Sequence, residues 1–216
     1  MKKDKHPVDS SNVVDMFSYS VVKRIFDFIF SLIFIIILIP FFILISLAIL
    51  ISSGFPILYS WKIVGINGRQ ISSWKFRTMV KSADLQKEKL LNKNEMDGPL
   101  FKIKKDPRIT KFGKILRKFS IDELPQLFSV FKGDMSLVGP RPPLQAEWKS
   151  FNEKQKLKMS VKPGMTGLWQ VSGRNKINTF EDIINYDLKY INSWSLTLDL
   201  KILFKTIPAI IKGTGY

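Results

Sequence analysis

Two neighbouring carboxylates are the residues of this sequence best suited to chemistry. Asp122 and Glu123 lie in the segment Ser-Ile-Asp-Glu-Leu-Pro at a predicted helix start, where free backbone N–H groups also favour a bound phosphate. An ionised carboxylate there can attack phosphorus and form an acyl phosphate. Mg²⁺ prefers one or two carboxylates plus substrate oxygens, which this pair can offer. The pair is therefore a candidate centre for phosphoryl transfer from a diphosphate.

The same two acids also have a purely structural interpretation. Ser120 and Glu123 match the spacing of a capping box, in which both acids would only complement a helix N-terminus. Pro125 would then occupy the fifth helical position and cost a hydrogen bond. With Asp122 as N-cap, Pro125 falls in the first turn, where proline is tolerated. The acidic pair alone leaves both interpretations open.

Basic residues near the acidic pair could bind phosphate. Arg141 stands between two prolines on a stiffened backbone, and Arg117 precedes Asp122 by five residues. Two turn-rich basic loops, residues 162–167 and 173–175, flank a Trp-Gln pair and could hold anions with backbone and arginine together. Each loop taken singly is also typical of an ordinary surface turn.

The amino-acid composition excludes several kinds of catalytic and metal site. The 216 residues include 34 Lys and Arg against 18 Asp and Glu, a formal net charge of +16, which indicates an anionic partner. There is no cysteine, which excludes disulfides, thiol catalysis and thiolate metal sites. The single histidine, His6, lies in a polar N-terminal stretch, so neither a Ser/His/Asp triad nor a histidine-rich zinc site is expected. Carboxylates are the remaining candidates.

A long apolar segment precedes this chemistry. Residues 25–51 carry one charge, Asp27, and as a straight helix would span about 40 Å, enough for a bilayer core of roughly 30 Å. Pro40 interrupts the segment near its middle, and Lys and Arg occur on both sides of it. A kinked transmembrane anchor and a helix that breaks at Pro40 and turns back to the same face are both open.

The rest of the chain is predicted to form an α-rich α+β catalytic domain. We expect a flexible tail over residues 1–20, a membrane segment over 21–52 and a cytoplasmic domain over 53–216. The patterns predict strands at 57–63 and 71–76, and helices at 81–93, 123–131, 144–159 and 181–192. Residues 196–212 alternate apolar and basic groups at helical spacing, which fits either an interfacial amphipathic helix or a core helix.

These motifs, in this order, resemble the bacterial sugar transferases that act on polyprenol phosphate, the monotopic phosphoglycosyl transferases. The resemblance covers nearly the whole chain and rests on seven segments, residues 23–27, 74–79, 98–102, 106–110, 122–127, 133–142 and 163–174. It implies a short, catalytic-core form whose membrane helix re-enters the bilayer surface after a break near Ile39 and Pro40. It also implies a location on the cytoplasmic face of the inner membrane, with membrane lipids as partners.

The resemblance implies transfer of a sugar 1-phosphate from a UDP-sugar to undecaprenyl phosphate, with release of UMP and ping-pong kinetics. Asp122 would be the nucleophile and a Mg²⁺ ligand, and Glu123 would complete the dyad by positioning the metal or by acid–base work. Phosphate or nucleotide contacts would come from four basic residues, Lys75, Arg117, Arg141 and Arg174. Downstream glycosyltransferases are expected partners. The motif over residues 168–174 slightly favours galactose or glucose as the transferred sugar.

The sequence departs from the family pattern at two places, and two functions other than sugar-phosphate transfer have to be considered. Trp61 and Ile63 replace residues that are usually Gln and Arg, and Ile39 replaces a serine found before the proline in some members. A membrane-anchored adaptor without turnover is the alternative function, although it would not need the acidic pair and the arginines together. Nucleic-acid binding is not expected, because the basic residues are scattered and no recognised binding motif appears.

Overall fold

The chain forms one long N-terminal helix followed by short helices and small two-stranded sheets. The computed structural model describes residues 13–101, 103–173, 177 and 179–213, with side chains described from residue 21 onwards. The elements in chain order are α1 (Val13–Ser53), β1 (Leu58–Val64), β2 (Gln70–Phe76), α2 (Lys111–Lys118), α3 (Leu127–Lys132), β3 (Ser136–Val138), α4 (Gln145–Lys149), α5 (Glu153–Lys156), β4 (Gly164–Thr166), α6 (Leu168–Val171), α7 (Phe180–Asn192) and α8 (Leu196–Ile211). Short 3-10 turns occupy Ile66–Gly68, Glu88–Lys93, Ile121–Gln126 and Leu157–Met159. The helix-rich fold class agrees with the prediction.

Helix α1 is long and apolar enough, over Val21–Ser53, to cross a membrane. Most of its apolar side chains between Ile25 and Ile51 are exposed on the surface of the protein. The helix continues through Pro40, so the predicted break near Ile39 is not an interruption of the helix. Proline removes a single hydrogen bond and commonly bends a helix without ending it. The helix also begins at Val13, within the stretch expected to be a flexible tail; residues 1–12 lie outside the described residues.

Buried ionic contacts tie the N-terminal part of α1 to the rest of the protein. Lys23 Nζ lies 2.7 Å from Asp199 Oδ2 on α8, and both side chains are almost fully buried. Asp27 Oδ1 accepts hydrogen bonds from Ser136 Oγ at 3.1 Å and from the Leu137 N–H at 3.0 Å, both on β3. Asp27, the only charged residue of the predicted apolar segment, therefore has a structural role in joining α1 to β3.

The C-terminal part of α1 is attached to the same body of the protein. Ile49 is buried in a cluster with Phe76 of β2 and Leu116 of α2. The Arg77 guanidinium donates to the carbonyl oxygen of Ser53 at 2.7 Å and also to that of Gly54, which satisfies carbonyls at the helix end. Both ends of α1 therefore contact one folded unit.

The two sheets bring separate parts of the sequence together. Strands β1 and β2 form an antiparallel hairpin with Trp61 opposite Ser73, close to the predicted bounds of both strands. Strands β3 and β4 pair in parallel, which places the loop after residue 133 beside the loop before residue 167. A Cβ on Gly139 would lie 2.7 Å from the Lys162 carbonyl oxygen, so this approach requires a glycine. The turn-rich loop over residues 162–167 therefore lies beside the segment that leads to Arg141.

The helix predictions succeed at the C-terminal end and fail in the middle of the chain. Helices α7 and α8 match the predictions for 181–192 and 196–212. The predicted helix over 144–159 is wrong as one element: Asn152 caps a new helix there by accepting a hydrogen bond from the Gln155 N–H. The stretch 81–93 is helical only in the 3-10 turn Glu88–Lys93. At Asn152 local capping overrides the apolar periodicity.

We expect Asp199→Asn to destabilise the protein, because Lys23 would lose its closest carboxylate while remaining buried. Breaking one partner of a buried pair costs about 3–5 kcal/mol, or roughly 6–20 °C in the unfolding midpoint of a chain this size. Differential scanning fluorimetry of the detergent-solubilised protein measures the shift.

The matched control is Glu181→Gln, which breaks the exposed pair between Lys154 Nζ and Glu181 Oε1 at 2.7 Å. Exposed pairs contribute about 0–1 kcal/mol, so this variant should stay within about 4 °C of the parent. Equal shifts for the two variants would contradict the anchoring role of Asp199.

Candidate active site

The acidic pair lies in the 3-10 turn Ile121–Gln126, which runs directly into α3. Ser120 precedes this turn with a φ of +53°, a left-handed conformation that is uncommon for serine, and its side chain makes no capping hydrogen bond. The capping-box interpretation is therefore wrong. Asp122 is not an N-cap either, because it lies inside the turn. A sharp change of direction after α2, rather than a helix cap, presents the two acids.

Asp122 is a buried carboxylate among charged neighbours. Only 7% of the residue is exposed. Burial, together with the negative charge of Glu123, raises the pKa of Asp122 to about 6, while Lys75 and Arg117 act in the opposite direction. A carboxyl group with this pKa is mostly ionised at neutral pH, and strongly perturbed pKa values are typical of functional sites.

Glu123 and Lys75 form the closest ion pair of the site. Lys75 Nζ lies 2.6 Å from Glu123 Oε1, and both side chains are about one-quarter exposed. The ammonium group also lies 4.0 Å from the centre of the Trp61 ring, in a cation–π contact. Trp61, one of the two departures from the family pattern, therefore packs its ring against the Lys75 ammonium group. Ile63, the other departure, is fully buried in the core.

Arg117 and Arg141 approach the acidic pair from different sides. Arg117 donates from Nε to Thr78 Oγ1 at 2.9 Å and lines a cavity of about 270 Å³ with four lysines, Lys104, Lys105, Lys114 and Lys118. Arg141 lies 3.2 Å from Glu147 Oε2 through Nη1 and lines a different, larger cavity. Arg174 lies outside the described residues. Of the four predicted basic contacts, the structure places Lys75 and Arg141 in the larger cavity.

The larger cavity has a volume of about 460 Å³, within the range usual for small-molecule sites. Lys75, Glu123 and Arg141 line it, while Asp122 is not among its lining residues. Trp169 and Gln170 line it from α6. Its apolar walls come from both long helices, with Phe34 and Leu38 from α1 and Leu203 and Ile210 from α8. The cavity therefore joins a charged end to the apolar surface of the protein.

The sequence prediction did not identify the α1 and α8 residues as part of the site. The amphipathic pattern of α8 was the only available signal, and it indicated an interface without indicating a cavity. On α8, Phe204, Ile207 and Ile211 are exposed, as the predicted apolar face requires. Ile202 of the same helix is buried in the core, so α8 serves both the core and the exposed apolar surface.

The two neighbouring carboxylates fit a magnesium ion that also binds substrate. Among the residues that the structure describes, no three Asp, Glu or His side chains come close enough to hold a metal by themselves. Mg²⁺ commonly takes one or two carboxylates and completes its shell with phosphate oxygens and water. Asp122 and Glu123 supply that number of protein ligands.

Comparisons with known proteins identify the family to which the chain is similar. The family model described as bacterial sugar transferase matches residues 18–213. Galactosyl transferase CpsE of Streptococcus agalactiae is 51% identical over 164 residues, covering 76% of this chain and 36% of that protein. Exopolysaccharide production protein ExoY of Sinorhizobium fredii is 38% identical over 197 residues, covering 89% of this chain and 87% of that protein.

A third relative, the undecaprenyl-phosphate galactose phosphotransferase of Salmonella typhimurium, is 42% identical over 199 residues, which cover 90% of this chain and 41% of that protein. The chain thus spans most of ExoY and about two-fifths of the longer relatives. Because the family model matches almost the whole chain and ExoY aligns over most of its own length, the chain belongs to the bacterial sugar transferase family.

Proposed function

We propose that the protein transfers a sugar 1-phosphate from a UDP-sugar to undecaprenyl phosphate and releases UMP. The observation that carries this proposal is the Asp122–Glu123 pair, held with Lys75 beside a cavity that apolar residues of α1 and α8 also line. The names of relatives support it, including a UDP-galactose-lipid carrier transferase and a UDP-glucose:undecaprenyl-phosphate glucose-1-phosphate transferase.

The proposed reaction has two steps on one nucleophile. A carboxylate oxygen of Asp122 attacks the phosphorus that carries the sugar, and the bond from that phosphorus to the bridging oxygen breaks, so that UMP leaves with the electron pair. An oxygen of undecaprenyl phosphate then attacks the same phosphorus, which restores the free carboxylate and gives the lipid diphosphate sugar. Because Asp122 is 7% exposed and does not line the cavity, donor binding has to open its path to the phosphorus.

The other site residues position and neutralise phosphate. Glu123 fixes the Lys75 ammonium group at the cavity, where it can meet the diphosphate. Arg141, oriented by Glu147, contributes a second positive charge to the same cavity. Arg117 lies close enough to favour the ionised form of Asp122. Mg²⁺, held by Asp122 with Glu123 beside it, would neutralise charge that develops on the diphosphate during transfer.

We also propose that α1 re-enters the cytoplasmic surface of the inner membrane without crossing it. Lys23 near one end and Ser53 at the other both contact the same folded unit, through Asp199 and Arg77. A helix that crossed the bilayer would place these two contacts on opposite sides of it, where one cytoplasmic unit could not make both. A bend at Pro40, with the exposed apolar residues of α1 and α8 in the lipid, accommodates both contacts.

We expect Asp122→Asn to abolish release of UMP, because the amide cannot form the acyl phosphate. The assay uses nanodisc-held protein with undecaprenyl phosphate, Mg²⁺ and a panel of UDP-sugars. Asp84→Asn, which makes the same change at an exposed position, should retain full activity. Release that survives in Asp122→Asn would exclude Asp122 as the nucleophile. No release from folded parent protein with any UDP-sugar would favour another donor or a role as an adaptor.

We expect Lys75→Gln to lower kcat/KM about 100-fold, the usual effect of removing one group that stabilises developing charge. Lys62→Gln, on the neighbouring strand and exposed, is the matched control and should change kcat/KM less than two-fold. Steady-state kinetics with the UDP-sugar identified above measure both values. Similar kinetics for the two variants would mean that Lys75 does not contact the diphosphate.

We expect both flanks of the membrane segment to lie on the cytoplasmic side. The chain contains no cysteine, so Ser11→Cys and Lys62→Cys each introduce a unique thiol. A membrane-impermeant maleimide should label neither variant in intact spheroplasts and both in inverted vesicles, with detergent-treated samples as the reactivity control. Labelling of Ser11→Cys from outside, with Lys62→Cys protected, would show that α1 crosses the membrane.

A further inference from the structure

Three buried polar atoms, on residues that line the larger cavity, have no hydrogen-bond partner within the described part of the chain. They are the indole nitrogens Nε1 of Trp61 and Trp169 and the amide oxygen Oε1 of Gln170. Buried polar groups in folded proteins are nearly always hydrogen-bonded, and leaving one unpaired costs free energy. Three such atoms around one cavity indicate a ligand that pairs with them.

Rigid elements hold these atoms in place. Trp61 lies on β1 with its ring against the Lys75 ammonium group, so its N–H belongs to the charged end of the cavity. Trp169 is 8% exposed, and it follows β4 together with Gln170 on α6. A Cβ on Gly167 would lie 2.8 Å from Gln170 Oε1, so the glycine there leaves room for the amide.

The chemistry of the three atoms restricts what can bind. An indole N–H only donates and an amide oxygen only accepts, so the ligand needs at least two acceptors and one donor. A polyprenyl chain offers none of these and would leave all three unpaired. An ionised phosphate offers acceptors without a donor, and it already has Lys75 and Arg141 in the same cavity.

A polar ring meets all three requirements. The edge of uracil presents two carbonyl oxygens on either side of an N–H, and a hexose presents several hydroxyl groups that both donate and accept. Both rings belong to the donor of the proposed reaction. Two aromatic side chains in the cavity wall also suit a ring better than an extended chain.

We propose that Trp61, Trp169 and Gln170 form a subsite that hydrogen-bonds a polar ring of the nucleotide-sugar donor and thereby sets the affinity for it. This inference rests on the proposed function for the identity of the donor. It adds three binding residues to a site in which the reaction itself assigns only charged groups.

The test measures binding without turnover, in the Asp122→Asn background, by isothermal titration calorimetry. Trp61→Phe, Trp169→Phe and Gln170→Met each remove one hydrogen-bonding group. The first two keep an aromatic ring, and methionine is close in size to glutamine. Each should weaken binding of UDP-galactose or UDP-glucose about five- to ten-fold, the usual effect of losing one hydrogen bond to a ligand. Trp74→Phe, at a tryptophan that is 43% exposed and does not line the cavity, is the matched control.

Titration with UMP identifies which ring is bound. If the variants also weaken UMP binding, the subsite holds uracil, and if UMP binding is unchanged, it holds the sugar. Because an unpaired oxygen adds no stability, the ligand-free unfolding midpoint of Gln170→Met should equal or exceed that of its parent. The two Trp→Phe variants also lose packed ring atoms, so their midpoints should fall.

Affinities within two-fold of the parent in all three variants would overturn the proposal. So would weaker binding confined to variants whose ligand-free unfolding midpoint also falls, because the residues would then be structural. Neither result depends on UMP release, so failure of this subsite is distinguishable from failure of the proposed reaction.

Discussion

The buried ionic cluster around Lys23 and Asp27 is the interaction on which the rest of the structure depends. Lys23 contacts Asp199 of α8, and Asp27 accepts hydrogen bonds from β3. The hydroxyl of Tyr190, on α7, donates to Asp199 at 2.8 Å and lies 3.1 Å from the Val138 carbonyl oxygen. Charges buried this deeply are tolerated only when each is paired, so one cluster fixes the membrane helix relative to α7, α8 and β3.

The position of the active site follows from that constraint. Strand β3 leads directly into the loop that carries Arg141, and its parallel pairing with β4 sets the place of Trp169 and Gln170. On the other side, Ser73 of β2 and Ser129 of α3 share a hydrogen bond of 3.0 Å, which ties the hairpin to the helix after the acidic pair. Strand pairing and this side-chain hydrogen bond therefore fix the elements that lead into the charged groups and the cavity walls.

The cavity presents a charged surface and an apolar surface within one site. The proposed donor, a sugar nucleotide, is highly polar and the proposed acceptor carries an apolar polyprenyl chain, so the proposed reaction requires both kinds of surface near one phosphorus. Lys75 and Arg141 supply charge at one end, while side chains of α1 and α8 supply hydrocarbon at the other. The pKa of Asp122 is raised because its carboxyl group, the proposed nucleophile, lies in a poorly hydrated position.

The sequence by itself determined the elements with strong local patterns: the apolar helix, the hairpin of β1 and β2, and helices α7 and α8. It also indicated the acidic pair and Arg141, because their residue types and spacing are unusual. Only the tertiary structure decided that Ser120 does not cap, that Arg117 lines a separate cavity, and that Trp61 lies beneath Lys75. Those facts depend on contacts between residues far apart in the chain, whereas periodicity and capping patterns report only on neighbours within a few residues.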